Sequence, residues 1–541
     1  MASPALALSI VLDQRGLLPA TPVQAHLVAE LRALGGGVER ARPPLSVIFA
    51  IDVSGSMVGP PLEHAARSIE RLVELLEPTD RVGVAAFSDE ASEVVPVARL
   101  DAEARRSISG QVHKLEAGGG TNVEAGLSLA RSMMPPRGVH ERQLILLLSD
   151  GAPNRGRVAV EELAAVTRGF RPEVVVSTLG YGAHHHEDVL ARIADAGAGR
   201  YHFIADPAVC SVELAQALGV QGDVAAEAIE LSLSPGEGVE LSRFHGSREL
   251  RFGASGVRVA VPDLLHGGRA VTVAELSLTP PREAGVWKPL LATVTFRRAG
   301  ERETQTIAAT LEVPVGVTVT GPNPEARAEV LIAQADEARV EARRQADRGQ
   351  FEGAAAVLRG MIGTIEAEPG RGRGDGSALD EALEQLVDEA VAMERKPSRE
   401  AYCAFRKAQV QSRSLAEGAE SYASSPMSAR MVESVAGALP RASLVVVEGD
   451  EPGKRFPLSQ PRNTIGRTQA AQVRIVDVNV SRMHAMIVGQ EGKFFVSDLG
   501  STNATWLNGE VLEKPVPLGP GDVLRIGDVE LRYEEGAQSS L

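Results

Sequence analysis

The chain has 541 residues, 44% of them hydrophobic and 23% charged, with a formal net charge of −15. That length exceeds what one hydrophobic core serves and predicts three or four domains of ordinary soluble composition. The acidic balance argues against a general nucleic-acid binder, which needs a basic surface to neutralise phosphates.

The opening MASPALALSIVLDQRG lacks a basic leader region and reads as a first strand, not a signal peptide. A second strand follows, in which Val23, Ala25, Leu27, Ala29 and Leu31 alternate with polar residues until Gly35-Gly36-Gly37. From 45 to about 207, short apolar runs alternate with amphipathic helices. SVIFAI (46–51), VGVAAF (82–87), LILLLS (144–149) and VVVSTL (174–179) have the length of strands buried on both faces. Leu62, Ala66, Ile69, Val73 and Leu76 share one helix face between the first two. This rhythm predicts a parallel sheet covered by helices.

Over 208–322 the period changes to two. IELSLS, VELSRF, GVRVAV, AVTVAELSL and PLLATVTFR predict a β-sandwich, which strands in 1–44 complete, so that the α/β domain is inserted in it. Residues 323–411 read as helical, with Pro324 at a first helical position and an ordinary helical hairpin around Gly349. GRGRGDGS (370–377) reads as a loop, and the Ser/Ala-rich stretch 412–442 as a flexible linker. Residues 443–535 are short strands and turns, an all-β module.

Chemistry concentrates at two places. Asp52, Ser54 and Ser56 directly follow the first buried strand, at the carboxyl edge where open α/β sheets present ligand sites. Gly118-Gly119-Gly120-Thr121-Asn122 and Ser149-Asp150-Gly151 supply two further loops. Such oxygen donors suit a hard cation like Mg²⁺. FAIDVSGSM, GGGTNV and LLLSDG, in this order, resemble the von Willebrand factor A (VWA) family's metal-ion-dependent adhesion site. The resemblance implies Asp52, Ser54, Ser56, Thr121 and Asp150 as site residues around Mg²⁺ or another divalent cation, with an open position for a partner's Asp or Glu. His184-His185-His186-Glu187-Asp188 reads as a solvated loop before a helix, not as a second metal site.

In the C-terminal module, Ile465-Gly466-Arg467, Val480-Ser481-Arg482-Met483-His484, Asp498-Leu499-Gly500-Ser501-Thr502-Asn503 and Leu507-Asn508-Gly509 each fall where a loop joins strands. Converging arginine and hydroxyl donors suit a phosphate. The set resembles the forkhead-associated (FHA) family. That implies Arg467 and Ser481 on the phosphate, Arg482 and Thr502 beside it, Asn503 on the peptide backbone, and His484 and Asn508-Gly509 as loop braces. Ala504 departs from the family's usual glycine. The resemblance further implies a phosphothreonine partner. Thr364 is the only threonine between Pro324 and Asn463, so the ligand is expected on another chain or another domain.

No P-loop, HExxH, GxSxG or kinase signature is present, so catalysis is not expected. Two cysteines, Cys210 and Cys403, form neither a disulfide framework nor a metal spacing. With no apolar run of about 18 residues to span a membrane, the expected location is the cytoplasm. The expected role is a non-catalytic adaptor, downstream of a Ser/Thr kinase, with two heads for anionic ligands. The alternative is a regulatory subunit of an ATPase or secretion complex.

Overall fold

The computed structural model describes residues 5–34, 43–138, 141–150, 152–181, 187–204, 210–246, 250–253, 256–299, 301–316, 321–368, 378–396, 426–468, 471–477, 479–490, 492–499, 501, 503–512 and 514–536. The Gly35-Gly36-Gly37 turn, Gly151, the three histidines at 184–186, the 370–377 loop, Cys403 and Thr502 lie outside them. Two compact units emerge.

The first unit is built from both sides of the α/β insertion. Strands β1 (Leu6–Leu12) and β2 (Val23–Ala33) pair antiparallel, and β2 continues onto a strand more than two hundred residues later. Between them in sequence come β3–β8 of the second unit: Leu45–Asp52, Arg81–Phe87, Ala91–Arg99, Arg142–Ser149, Val174–Tyr181 and Ala198–Ile204. The first unit resumes with β9 (Val224–Pro235), β10 (Val239–Phe244), β11 (Leu250–Gly253), β12 (Gly256–Val261), β13 (Leu264–Leu265), β14 (Arg269–Leu278), β15 (Gly285–Arg298) and β16 (Thr304–Val315). One sheet runs β1-β2-β14-β10 and the other β11-β12-β9-β15-β16. Alternate residues, among them Leu27, Leu31, Leu231, Leu276, Val294 and Phe296, fill the space between the sheets. The parallel domain is therefore inserted in a sandwich.

Among the described residues, three helices complete this unit: Pro324–Asp347, Phe351–Glu366 and Ala378–Glu394. The first covers the outer face of β2 and β14, where Ala326 and Val330 pack on Val28 and Val273. Arg339 on this helix bonds Glu389 on the third at 2.7 Å, so a third helix packs onto the hairpin expected around Gly349.

In the second unit the sheet order is β5-β4-β3-β6-β7-β8. All but β5 are parallel. Neither β5 nor β8 was read from the sequence. Residues 91–99 of β5 include Pro96 and several exposed side chains, the pattern of an edge strand, whose solvent-facing row needs no N–H donor. All eight residues of β3 and of β6 are buried, as expected for strands covered on both faces. The chain leaves β3 toward β4 and leaves β6 in the other direction, toward β7, so a topological switch point lies between the ends of β3 and β6. That is where the first candidate site sits.

The C-terminal module is a sandwich of two mainly antiparallel sheets. One centres on Ala442–Glu448 and Val529–Glu535, the other on Arg462–Gly466 and Ala485–Gln490. The expected flexible linker is corrected in its second half: Pro426–Ala436 is a helix. Met431, Val432 and Ala436 on this helix are buried. One apolar cluster joins Leu62, Ile69 and Leu72 of helix 60–75, Leu214 and Leu218 of helix 210–222, Met431 and Val432, and then Met486, Val488 and Leu499 of the module. Composition suggested a tether because Ser and Ala are abundant, but two large apolar side chains suffice to dock a helix.

Candidate functional sites

The first site is a set of three loops drawn together at the switch point. Asp52 is the last residue of β3 and is fully buried. Its Oδ1 accepts the Ser54 N–H at 2.8 Å, and its Oδ2 accepts the Ser149 hydroxyl at 2.5 Å. Ser54 Oγ lies 3.1 Å from Ser56 Oγ, and Ser56 Oγ donates to Asp150 Oδ1 at 2.6 Å. Asp52, Ser54, Ser56 and Asp150 thus form one connected oxygen cluster.

Thr121 is buried and arrives on the third loop, which the Gly55 N–H ties to the Gly119 carbonyl at 3.2 Å. The Thr121 N–H donates to Asn154 Oδ1 at 2.8 Å. The glycine run has a steric cause here. A Cβ at Gly120 would lie 2.6 Å from Asn154 Oδ1 and 2.9 Å from Asp89 Oδ1, and Gly119 adopts a φ of +83°. Asp89, Asn154 and Ser149 received no role from the sequence. Ser149 adjoins the aspartate already singled out, but no local pattern marks Asp89 or Asn154 as supports of a loop thirty residues away.

Burial pushes the Asp52 carboxyl above its ordinary value. Hydrogen bonds from Ser149 and Ser54 pull it back, and the neighbouring Asp150 charge raises it further. A buried carboxylate whose charged neighbour is a second carboxylate lacks what normally stabilises it, an opposite charge. An oxygen-only set of two carboxylates and hydroxyls therefore fits a hard divalent cation.

The second site lies on the rim of the C-terminal sandwich. Gly466 ends the Arg462–Gly466 strand against the backbone of Arg482, where a Cβ would sit 1.8 Å from the Arg482 carbonyl oxygen. This close approach places Arg467 beside Ser481, and the Arg467 N–H donates to the Ser481 carbonyl at 3.2 Å. Arg467, Ser481 and Arg482 are half-buried and Asn503 is exposed.

His484 holds these loops together from inside. It is buried, its Nδ1 accepts the Ser481 N–H at 3.0 Å, and its Nε2 faces the Ala504 carbonyl at 3.1 Å. Because Nδ1 accepts, Nε2 must carry the proton that Ala504 receives. Burial pushes this imidazole below its ordinary value, over the opposing effects of the Ala504 carbonyl and of Asp498 and Asp477. Asn503 Nδ2 donates to the Asn479 carbonyl at 2.7 Å, and Asn479 in turn bonds Asp528 at 2.8 Å. Asn479 and Asp498, which accepts the Ser501 and Thr505 hydroxyls at 2.6 and 2.7 Å, were not assigned roles from the sequence. The structure so brings Arg467, Ser481, Arg482 and Asn503 to one rim. Ala504 adopts a φ of +55°, which explains why a glycine is the expected occupant. At Asn508-Gly509 both residues have positive φ, as a tight hairpin requires.

Comparison with known proteins agrees with this architecture. The model of the von Willebrand factor type A domain matches residues 46–215, and that of the FHA domain residues 463–527. The Synechocystis protein sll0103 is 31% identical over 202 residues, 37% of this chain and 47% of that protein. The oxoglutarate dehydrogenase inhibitor of Corynebacterium diphtheriae is 41% identical over 96 residues, 18% of this chain and 66% of the inhibitor. The chain thus spans about half of the first relative and just under two thirds of the second. Among solved structures, a von Willebrand factor type A protein from Catenulispora acidiphila aligns with a TM-score of 0.55 at 19% identity. That alignment covers 75% of this chain and 90% of that one, a likeness of fold.

Proposed function

We propose that this chain, which carries a von Willebrand factor type A domain and an FHA domain, is a non-catalytic adaptor that captures anionic groups of other proteins at two heads. Asp52, Ser54, Ser56, Thr121 and Asp150 would hold Mg²⁺ or another divalent cation at the first. Two carboxylates match the formal charge of such a cation, but the three neutral hydroxyls donate weakly, so that it stays electrophilic and can take an acidic side chain of a partner. The chain's own residues orient the site: Ser149 and the Ser54 N–H fix both oxygens of Asp52, and Asn154 fixes the threonine loop.

At the second head, Arg467 and Ser481 would contact the phosphate of a phosphothreonine, with Arg482 and Thr502 beside it and Asn503 on the peptide backbone. Charge-assisted bonds from a guanidinium are the strong kind. The observation that carries this reading is the His484 brace, which ties Ser481 to the Asn503 loop and so presents the donors as one preformed rim. The matched corynebacterial protein is named for inhibiting an enzyme, which favours a regulatory target for this head as well. We place the protein in the cytoplasm, acting after a Ser/Thr kinase. Among the described residues no helix is long and apolar enough to cross a membrane.

The testing experiment is a capture from phosphorylated and dephosphorylated lysates, with and without chelator, read by mass spectrometry. Two prey sets are expected, one lost on dephosphorylation and one lost on chelation. A single set insensitive to both treatments contradicts the proposal. Enrichment of a nucleotide-hydrolysing complex would instead favour a regulatory subunit of an ATPase or secretion machine.

A further inference from the structure

The β-sandwich, which shares no residue with either head, contains a second set of converging ligands. His26 on β2 stands opposite Glu275 on β14 in the strand register. Just after β10, the His245 N–H bonds the Val273 carbonyl at 3.0 Å, which sets its side chain on the same face as Glu275. One ligand atom from each of His26, His245 and Glu275 lies within 4.8 Å of the others. We infer that these three side chains form a transition-metal site of the zinc class, two imidazoles and one carboxylate, beneath the Pro324–Asp347 helix.

The surroundings favour a metal over a plain ion-pair network. His26 Nδ1 lies 2.8 Å from Asp13 Oδ2, and Asp13 is itself buried and fixed by the His26 backbone N–H at 2.9 Å. His245 Nδ1 lies 3.2 Å from Glu337 Oε2 on the covering helix, and Glu337 is held by Arg243 at 2.6 Å and the Gly246 N–H at 3.2 Å. The His26 imidazole therefore has a hydrogen-bonded carboxylate on Nδ1, the pairing that orients metal-binding histidines and leaves Nε2 as the donor, while Glu337 stands on the Nδ1 side of His245 as a nearby charge without a hydrogen bond of proper geometry. Glu275 Oε1 stands 3.3 Å from His245 Nε2. That spacing is close to the roughly 3.3 Å that tetrahedral bonds of about 2.0–2.1 Å impose between ligand atoms.

The His245 side chain is only 2% exposed, yet neither ring nitrogen makes a hydrogen bond of proper geometry. A buried imidazole left so is costly, and a cation at Nε2 supplies the missing interaction. Nitrogen donors distinguish this site from the oxygen-only cluster at Asp52, which favours a hard ion. Three protein ligands leave a fourth position open.

The test uses the full chain without affinity-tag histidines, carrying Asp52→Ala to remove the first cation site. Metal-free protein is titrated with Co²⁺, followed by its visible absorption, and then with Zn²⁺. One equivalent of Co²⁺ should give the intense bands of a tetrahedral site, and one equivalent of Zn²⁺ should bleach them. Glu275→Gln and His26→Gln should each abolish the bands. Asp13→Asn should weaken Zn²⁺ binding by about 10–100-fold, the usual effect of losing an orienting carboxylate. Phosphothreonine-peptide affinity, measured alongside, should stay unchanged, and an unaltered far-ultraviolet circular dichroism spectrum should report that the sandwich of each variant folds. Absence of Co²⁺ bands in the Asp52→Ala protein overturns the inference, as do bands that persist in both ligand variants, which would place the metal elsewhere, for example on His184–His186.

Discussion

Met486 and Ile487 follow one another in a single strand and belong to different cores. The strand is buried along its whole length. Ile487 faces the interior of the C-terminal sandwich with Leu444 and Val496, whereas Met486 points outward into the cluster shared with Val432 and the helices of the α/β domain. Alternation along a strand makes this possible, because successive side chains leave opposite faces. The two heads are therefore joined by a packed contact and not by a tether alone.

Truncating each residue should separate the two cores. Ile487→Ala removes about 2–5 kcal/mol from the sandwich itself and should weaken phosphopeptide binding through partial unfolding. Met486→Ala should leave that binding intact and make the Pro426–Ala436 helix more sensitive to limited proteolysis. Equal effects of both variants on peptide binding would contradict the division.

Asp52 is buried with a second carboxylate for a charged neighbour, so its charge is a cost in the absence of a cation. Asp52→Asn should then leave the metal-free protein as stable or more stable, while removing the rise in Tm that Mg²⁺ gives. In the unsubstituted protein that rise should be worth about 2.7 kcal/mol at a hundredfold excess over Kd. Thermal melts with and without Mg²⁺ check both halves. A variant destabilised in chelator, or still stabilised by Mg²⁺, goes against the site.

His484 has a pKa below the ordinary imidazole value of 6.5, because burial disfavours its charge. The unfolded chain therefore takes up the proton first. Stability from this residue is complete above pH 6.5 and declines as pH falls through the unfolded value toward the folded one. Denaturant melts from pH 8 down to pH 5 should show this loss, and His484→Gln should remove the pH-dependent part. In the folded protein Nδ1 takes its proton only at the lowered value and then ceases to accept from Ser481, so phosphopeptide affinity should hold through this window and drop only at its acid end.

Much of this was legible in sequence for a plain reason. The strand β3 and the Asp52-Val53-Ser54-Gly55-Ser56 turn are contiguous, so hydrophobicity, loop and ligand chemistry sit in one short window. The C-terminal rim was legible likewise, because each of its loops carries a distinctive polar residue beside a turn signal. What escaped was long-range. The Asp89 and Asn154 supports act across about thirty residues, and Met431 and Val432 look unremarkable until the surface they dock on is known. The edge strand at 91–99 was missed because its pattern is polar on one side and broken by Pro96.

Ala504 provides a stability test on the rim. A non-glycine residue at a φ of +55° is strained by roughly 1–2 kcal/mol, part of which glycine returns through greater freedom of the unfolded chain. Ala504→Gly should stabilise the module by about 0.5–1 kcal/mol with the peptide site unaltered, as denaturant melts and peptide titration would report. A loss of stability would mean that the loop conformation is not the one described.

Two separate heads that read charge must lose their ligands independently, which one paired titration can show. Arg467→Ala and Asp52→Ala proteins are each titrated with a phosphothreonine peptide and with Mg²⁺, by calorimetry. Arg467→Ala should lose peptide binding and keep Mg²⁺ uptake, and Asp52→Ala should do the reverse. Loss of both activities in either variant, or of neither in both, would contradict it.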